Sequence, residues 1–259
     1  MTYTNRDILV SQRHGRLELC IHRPDKRNAL SSGVMSELKA VLAEKADDPR
    51  VSIVILTGSG EKSFAAGGDL KELASLRTHE QATAMSLAYR STLAAIRDFP
   101  VPVVAAINGD ALGGGAELAA ACSLRIAASH ARIGFVQSRL AITSAWGGGV
   151  DLHVLVGPAL AMRLLAAGEI LSARDAAAIG LVDGVAESLS LAETVDRFVE
   201  PMLAAPRQVL ASIKSLNSAY RRGSPRAEQE TIETAGFAKA WVHEDHWAAA
   251  DKILNRRPG

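Results

Sequence analysis

Cysteines and aromatic residues are scarce in this chain, and neither sign of charge is in excess. The 259 residues include 2 cysteines, 4% aromatic residues and a formal net charge of +1. Cys20 and Cys122 lie in apolar stretches without a CxxC spacing, so the sequence predicts neither a zinc site nor a disulfide framework. A nearly balanced charge argues against nucleic acid as the main partner, because neutralising phosphates requires an excess of basic residues.

Long uninterrupted hydrophobic runs are missing as well. The first ten residues, MTYTNRDILV, lack the apolar run of a signal peptide. The most apolar region, 101–128, cannot span a bilayer, since it contains many glycines together with Asn108, Asp110, Glu117 and Arg125. Apolar residues make up 48% and charged residues 22% of the chain, as in soluble globular proteins. We therefore expect a cytoplasmic protein that acts without a membrane partner.

Strand-like and helical patterns alternate over the first two-thirds of the chain. The strand-like runs are LELCIHR, VSIVILTG, VPVVAAI and SLRIAA, at residues 17–23, 51–58, 101–107 and 123–128. Helical patterns lie at about 32–46, 79–98 and 115–122. The second and third runs are apolar almost throughout, which predicts parallel strands covered on both faces. The sequence thus predicts an α/β fold.

The pattern becomes mostly helical from residue 158 onward, without a low-complexity linker. Gly168, Gly180 and Pro206 stand where helices would end. We predict an α/β core over residues 1–200 and a helical C-terminal region over residues 201–259. In that region, three apolar residues at roughly helical spacing predict a face that packs on the core or on another subunit: Trp241, Trp247 and Leu254.

Two glycine runs each separate a strand-like run from a helical pattern. The first contains Gly67 and Gly68, and the second is Gly113–Gly115. Glycine allows a ligand to approach the backbone closely, and the first amides of a helix have no intrahelical acceptor. If the two turns face each other, their N–H groups form an oxyanion hole. The alternative is that the glycines only form tight turns.

Other glycine and metal motifs are incomplete. In GSGEKS, at residues 58–63, Ser63 stands where the dinucleotide fingerprint requires a third glycine, and the GK[ST] order of a phosphate-binding loop is missing. The histidines of HEDH, at residues 243–246, do not have the HExxH spacing, so an exposed helix face is expected there and no metal site. The chain also lacks the GxSxG motif of a nucleophile-elbow serine.

Five segments, taken in order, resemble signature segments of the enoyl-CoA hydratase/isomerase, or crotonase, superfamily. They are HRPDKRNAL, SFAAGGDLKEL, INGDALGGGAELAAACSLRIAA, ARIGF and SARDAAAIGLVD, at residues 22–30, 63–73, 107–128, 131–135 and 172–183. The resemblance covers nearly the whole chain. It implies a crotonase-like spiral of ββα units and a C-terminal helical region that builds trimers, often paired into hexamers.

The resemblance also implies the ligand, a coenzyme A thioester, and a place in fatty acid metabolism. Coenzyme A would be part of the substrate, and no tightly bound cofactor is expected. The oxyanion-hole amides would belong to Gly68 and Gly114. The residues implied to surround the coenzyme A moiety are Lys26, Ala29, Ala66, Asp69 and Leu70. The basic side chains that could neighbour its phosphates, or simply be solvated surface charges, are Lys26, Arg27, Lys62 and Lys71.

Glu117 matches the position of a catalytic glutamate in the hydratases of this superfamily. Its neighbours Gly115, Ala116, Leu118 and Ala119 are small or apolar and indicate partial desolvation. Desolvation raises the pKa of a carboxyl group and suits it to proton transfer. The alternative is an acid placed in the first helical turn only because the helix dipole favours it.

A second acid is missing from the segment where such hydratases carry one. The segment VQSRLAITSAWGGG, at residues 136–149, contains no Asp or Glu, and Gln137 stands in the expected place. A neutral glutamine can orient water or substrate but cannot exchange a proton near neutral pH. Hydration by two acids is therefore in doubt. The aspartate nucleophile of the superfamily's dehalogenases is also missing from this segment.

Decarboxylation of a short 2-carboxyacyl-CoA needs an oxyanion hole and only one acid. Loss of CO₂ leaves a thioester enolate, which two amides would stabilise and Glu117 would protonate. The stretch AITSAWGGG is similar to ethylmalonyl-CoA and methylmalonyl-CoA decarboxylase-like members, and Trp146 would form an apolar wall of the site or part of the core. We therefore predict an acyl-CoA lyase, with decarboxylation as its favoured reaction.

Two alternatives to decarboxylation stay open. One is a 2-enoyl-CoA hydratase or isomerase that uses Glu117 alone, with water held by Gln137. The other, from a different functional class, is a catalytically inactive protein that keeps the fold and binds coenzyme A esters.

Overall fold

Two β-sheets with surrounding helices make up residues 7–255, the part of the chain that the computed structural model describes. The strands are β1 (Ile8–Arg13), β2 (Arg16–Ile21), β3 (Ile53–Gly58), β4 (Ser63–Ala65), β5 (Val103–Ile107), β6 (Asp110–Leu112), β7 (Leu124–Ala128), β8 (Arg132–Gly134), β9 (Ile170–Ser172) and β10 (Gly184–Ala186). The helices are α1 (Ser32–Lys45), α2 (Leu70–Leu73), α3 (His79–Arg97), α4 (Gly114–Ala121), α5 (Gly148–Val156), α6 (Pro158–Ala167), α7 (Ala173–Ala178), α8 (Leu191–Leu203), α9 (Arg207–Arg221), α10 (Arg226–Trp241) and α11 (Glu244–Leu254).

Successive segments of the chain add one strand to each sheet in turn. The six-stranded sheet has the order β1-β2-β3-β5-β7-β10, and the four-stranded sheet has the order β4-β6-β8-β9. Strands β3, β5 and β7 run parallel in the first sheet, and the strands that follow them, β4, β6 and β8, run parallel in the second. Helices follow each of these pairs. The predicted α/β class and spiral of ββα units are confirmed.

The central strands are buried on both faces, which explains their unbroken apolar sequence. In β3, Val54 and Leu56 face the main core, whereas Ile53 and Ile55 face a second cluster that includes side chains of α8. The four strands predicted from the sequence are all present as β2, β3, β5 and β7. The strands of the second sheet were not predicted, because each has only three residues and so shows no period.

The chain is mostly helical from α6 to α11, as predicted. The stretch 206–254 is divided into three helices, because Gly223 follows the end of α9 with φ +71° and Pro225 immediately precedes α10. The predicted boundary at residue 200 falls inside α8, and the division into two regions stays a prediction. Within residues 7–255, every helix is too short or too polar to reach across a bilayer.

Candidate active site

The two glycine runs lie side by side. Strands β4 and β6 pair in parallel, and each leads into one of the runs. A methyl group built on Gly67 would lie 3.1 Å from Leu112 O and 3.6 Å from Gly114 N. Gly113, which precedes α4, has φ +54°, a left-handed conformation that favours glycine. The fold therefore brings together two turns that lie about 45 residues apart in the sequence.

The indole ring of Trp146 covers both turns. Its Cη2 atom lies 3.5 Å from the position of a methyl group on Gly68 and 2.4 Å from that of a methyl group on Gly114. Gly68 and Gly114 thus flank one side chain. Among the hydrogen bonds of residues 7–255, none has the N–H of either glycine as its donor. These two amides are the candidates for an oxyanion hole, and that role stays a prediction.

Glu117 is buried beside these turns, in the first turn of α4. Its side chain accepts hydrogen bonds on both carboxylate oxygens. Oε1 accepts from Gln137 Nε2 at 2.8 Å, while Oε2 accepts from the backbone N–H groups of Trp146 at 2.9 Å and Gly148 at 3.0 Å. Burial raises the pKa of Glu117 above its ordinary value, and these hydrogen bonds only partly oppose the effect of burial. The carboxyl group is thus oriented, desolvated and suited to proton transfer.

Gln137 completes the surroundings of this carboxyl group. It lies in a 3₁₀ turn over Val136–Leu140 and is 8% exposed. Its Nε2 must point at Glu117, because an ionised carboxylate only accepts hydrogen bonds. Its Oε1 is buried and has no hydrogen-bond partner within residues 7–255. A buried acceptor left in this way indicates a place for a donor such as water.

The residues predicted to surround coenzyme A lie in two segments, 26–30 and 66–70, that run alongside each other and together form a coenzyme A loop. Leu30 N donates to Gly67 O at 2.8 Å, and Leu30 O accepts from Asp69 N at 3.0 Å. The pairing brings together the predicted residues Lys26, Ala29, Ala66, Asp69 and Leu70. The basic side chains predicted near the phosphates are all exposed: Lys26, Arg27, Lys62 and Lys71. Their contact with coenzyme A stays a prediction.

Arg23 fixes this loop and was not predicted. Its guanidinium donates to Asp69 Oδ2 at 2.9 Å and to Ala29 O at 2.6 Å, one contact on each segment. The same guanidinium holds the pKa of the Asp69 carboxyl group below its usual range. Asp69 therefore shapes the loop through Arg23. One arginine in HRPDKRNAL gives no sequence signal for a partner 46 residues away.

Trp146 belongs both to the candidate site and to the core, so the two roles expected for it coexist. The residue is 6% exposed, and its ring meets that of Tyr89 edge-on, with centroids 4.6 Å apart. Tyr89 lies on α3, and the same indole covers the glycine turns. The aromatic pair forms an apolar wall next to the two candidate amides.

Gly148 is a further site residue that was not singled out in the sequence. It begins α5, and a methyl group there would lie only 2.4 Å from Glu117 Cβ. A side chain at this position would separate α5 from α4 and remove an amide donor from Glu117. The signal was present in the sequence: WGGG is a third glycine run directly before a helical pattern.

The HEDH segment begins a helix and lies apart from these residues. His243 precedes α11, and the ring of His246 stacks on that of Trp241 with centroids 4.6 Å apart. Within residues 7–255, no three His, Cys, Asp or Glu side chains are grouped as a metal site would require.

Comparisons with known proteins agree with this architecture. A family model described as enoyl-CoA hydratase/isomerase matches residues 12–257. A crotonyl-CoA hydratase of Syntrophomonas wolfei is 34% identical over 258 residues, which cover 99% of this chain and 97% of that protein. A short-chain-enoyl-CoA hydratase of Clostridium acetobutylicum is 33% identical over 251 residues, 96% of this chain and 95% of that protein.

A solved structure shares the whole fold. The crystal structure of an enoyl-CoA hydratase from Bacillus anthracis aligns with a TM-score of 0.91 and 31% identity, covering 97% of each chain. The two-sheet spiral is thus that of a crotonase-type enzyme. The chain belongs to the enoyl-CoA hydratase/isomerase family, as its sequence segments predicted.

Proposed function

We propose that this protein adds water to the double bond of a short 2-enoyl-CoA. The observation that carries the proposal is the pair formed by Glu117 and Gln137, in which the glutamine keeps a buried oxygen without a partner within residues 7–255. A water molecule has two O–H groups and can donate one to each side chain. The relatives named as hydratases support this alternative over the decarboxylation favoured by the sequence.

One acid is sufficient for this addition. The thioester oxygen would accept hydrogen bonds from the amides of Gly68 and Gly114. Glu117 takes a proton from water while the water oxygen bonds to C3 and the π electrons of the C2–C3 double bond move into a thioester enolate. The two amides stabilise its charge, an effect worth on the order of 10²–10³ in rate for a single donor. Glu117 then returns the proton to C2, and the hydroxyacyl-CoA is complete.

Decarboxylation of a short 2-carboxyacyl-CoA is the second candidate, and the neutral Gln137 beside a single acid favours it. In this reaction the bond to CO₂ breaks, and its electron pair forms the enolate at the same two amides. Protonated Glu117 then delivers a proton to C2. The wall formed by Trp146 and Tyr89 would favour loss of the carboxylate, because an apolar surface stabilises a neutral group better than an ion.

A panel of coenzyme A esters tests these assignments. With crotonyl-CoA, the protein is expected to remove the conjugated double bond, followed as a loss of ultraviolet absorbance. With ethylmalonyl-CoA, no release of CO₂ is expected. CO₂ release without any hydration of crotonyl-CoA would instead establish decarboxylation. Binding of both esters without turnover would identify a binding protein.

The pH dependence of the rate has opposite signs for the two reactions. Burial places the pKa of Glu117 above that of an ordinary glutamate. Hydration needs the ionised carboxylate as its base, so kcat/KM for crotonyl-CoA is expected to rise with pH through this raised pKa and then level off. Decarboxylation needs the protonated acid, so its rate would fall over the same interval. Initial rates measured from weakly acidic to weakly basic pH decide between them.

We also propose that the C-terminal helices join subunits into trimers, as the family resemblance implies. Exposed apolar side chains on α10, its C-cap residue and α11 support this: Phe237, Trp241, Val242, Trp247, Ile253 and Leu254. The ring of Trp241 lies 5.4 Å from that of Phe237 and 5.7 Å from that of Trp247, so part of this surface is continuous. Continuous exposed apolar patches are typical of protein interfaces.

A further inference from the structure

A buried carboxylate behind Glu117 connects three helices. Asp151, in the first turn of α5, is 4% exposed. Its Oδ2 accepts from Arg97 Nη1 at 2.6 Å and its Oδ1 from Arg221 Nη2 at 2.7 Å. Arg97 is the last residue of α3 and Arg221 the last residue of α9. Nothing in the catalytic scheme above uses these three side chains.

We propose that Asp151, through Arg97 and Arg221, is a positioning residue that holds the first turn of α5 against the Glu117 carboxylate. The inference rests on the proposed catalytic role of Glu117.

The turn that carries Asp151 is the turn that binds Glu117. Asp151 N donates to Gly147 O at 3.1 Å. Gly148, which follows Gly147, donates its N–H to Glu117 Oε2 at 3.0 Å. Arg97 also packs directly on this turn, since a methyl group on Gly147 would lie 3.0 Å from Arg97 Nη2. Any displacement of Asp151 is therefore transmitted to the amide that binds the carboxylate.

Arg221 holds the helix of Glu117 from its other end. Its guanidinium donates to Ala120 O, in the last turn of α4, at 2.6 Å. It also donates to Cys122 O, the carbonyl of the residue that caps α4, at 2.8 Å. The same guanidinium pairs with Asp151. One side chain thus fixes α4 relative to the first turn of α5, and these are the two elements that meet at Glu117.

Asp151 offsets an excess of buried positive charge. Besides the two arginines, Lys214 of α9 lies in this cluster and donates to Arg97 O at 2.7 Å. Burial, reinforced by Arg221, lowers the pKa of Lys214 to about 8. Removing the Asp151 charge would leave these cations without their carboxylate, and buried cations without a counter-charge repel each other. The first turn of α5 would move, because it carries the missing partner.

The substitution Asp151→Asn tests the inference. We expect the pKa of Glu117 to rise by about one pH unit, because the carboxylate loses the Gly148 amide donor that stabilises its charged form. The guanidinium groups left without Asp151 would by themselves lower this pKa, so a rise identifies the lost hydrogen bond. For hydration of crotonyl-CoA, we expect kcat to fall about tenfold, as misplaced catalytic groups do, while KM changes much less. The pKa is measured without substrate, by NMR of protein with ¹³C-labelled glutamate carboxyl groups, with Glu117→Gln identifying the resonance.

Asp196→Asn is the matched control. Asp196 of α8 pairs with Arg16 of β2, so this carboxylate–arginine pair lies on different elements from Asp151, Arg97 and Arg221. This variant should lose stability but leave the pKa of Glu117 unchanged. If Asp151→Asn does not fold, the pKa is measured in Arg97→Lys. Lysine keeps the positive charge but loses the guanidinium group that packs on Gly147, while Asp151 keeps its pair with Arg221.

A pKa of Glu117 that falls or stays unchanged in the Asp151 or Arg97 variant would overturn the inference. A raised pKa in a protein that hydrates no crotonyl-CoA would contradict the proposed reaction and leave the positioning role intact. The two proposals therefore fail separately.

Discussion

Replacing Glu117 with glutamine is expected to reduce turnover of the coenzyme A ester by about a thousandfold or more, since the acid that transfers the proton is lost. Ester binding should persist, because the amides of Gly68 and Gly114 are unchanged. The geometry permits this substitution. The glutamine oxygen accepts from the two backbone amides, and Gln137 rotates its amide so that its own oxygen accepts from the new side chain. Steady-state rates and ester titrations measure both effects.

The same variant is expected to be more stable than the wild type near neutral pH. The pKa of Glu117 is raised in the folded state, so its contribution to stability is present at low pH and is lost as the pH rises through the folded-state pKa. The difference in melting temperature between the variant and the wild type should therefore grow as the pH rises through the raised pKa of Glu117 and then stay constant.

Glu244 provides the matched control, because it too lies in the first turn of a helix, α11, but is exposed. Glu244→Gln should lose at most about 1 kcal/mol through the helix dipole and leave turnover unchanged. If Glu117→Gln behaves in the same way, with full activity and slightly lower stability, Glu117 is only a favourable helix-terminal acid. The proposed mechanism would then be wrong.

Replacing Gly115 with alanine is expected to destabilise the fold by about 3 kcal/mol, the upper part of the range for overpacked cores. The added methyl group would lie 1.9 Å from Ala65 O and 2.8 Å from Ala65 C. These are backbone atoms of β4, which pairs with β6, so they cannot rotate away as a side chain would. Thermal and chemical unfolding measure the loss. In a folded fraction, ester binding should also weaken, because α4 carries a candidate amide.

Gly33→Ala is the comparison for this variant. A methyl group there would lie 3.7 Å from Ser31 Oγ, an ordinary contact, within α1. Alanine has a higher helix propensity than glycine, so this variant should gain about 0.5–1 kcal/mol in its free energy of unfolding. Equal stability of Gly115→Ala and the wild type would mean that α4 does not approach β4 as closely as described.

The reaction was the part of the function least determined by the sequence. Counting acids in residues 136–149 favoured decarboxylation, whereas the relatives, named as hydratases, support the alternative of hydration. The count of acids took into account that Gln137 cannot exchange a proton. It could not show that the Gln137 Nε2 atom binds Glu117, 20 residues away, or that its Oε1 atom is buried without a partner among residues 7–255, since both depend on tertiary packing.

The sequence by itself determined the features that local pattern encodes. Apolar runs gave β2, β3, β5 and β7, and periodicity gave α1, α3 and α4 within one residue of their ends. Ordered segments gave the family. These inferences succeed because strand and helix periods, and the conformations open to glycine, are properties of a few consecutive residues.

Only the tertiary structure decided which distant residues meet. It placed Trp146 over Gly68 and Gly114, joined Arg23 to Asp69, and connected Arg221 to the end of α4 across 101 residues. It also formed the second sheet from strands too short to show a pattern. Such contacts depend on which faces of the elements pack together, and that choice is made by the burial of the whole core rather than by any local stretch of sequence.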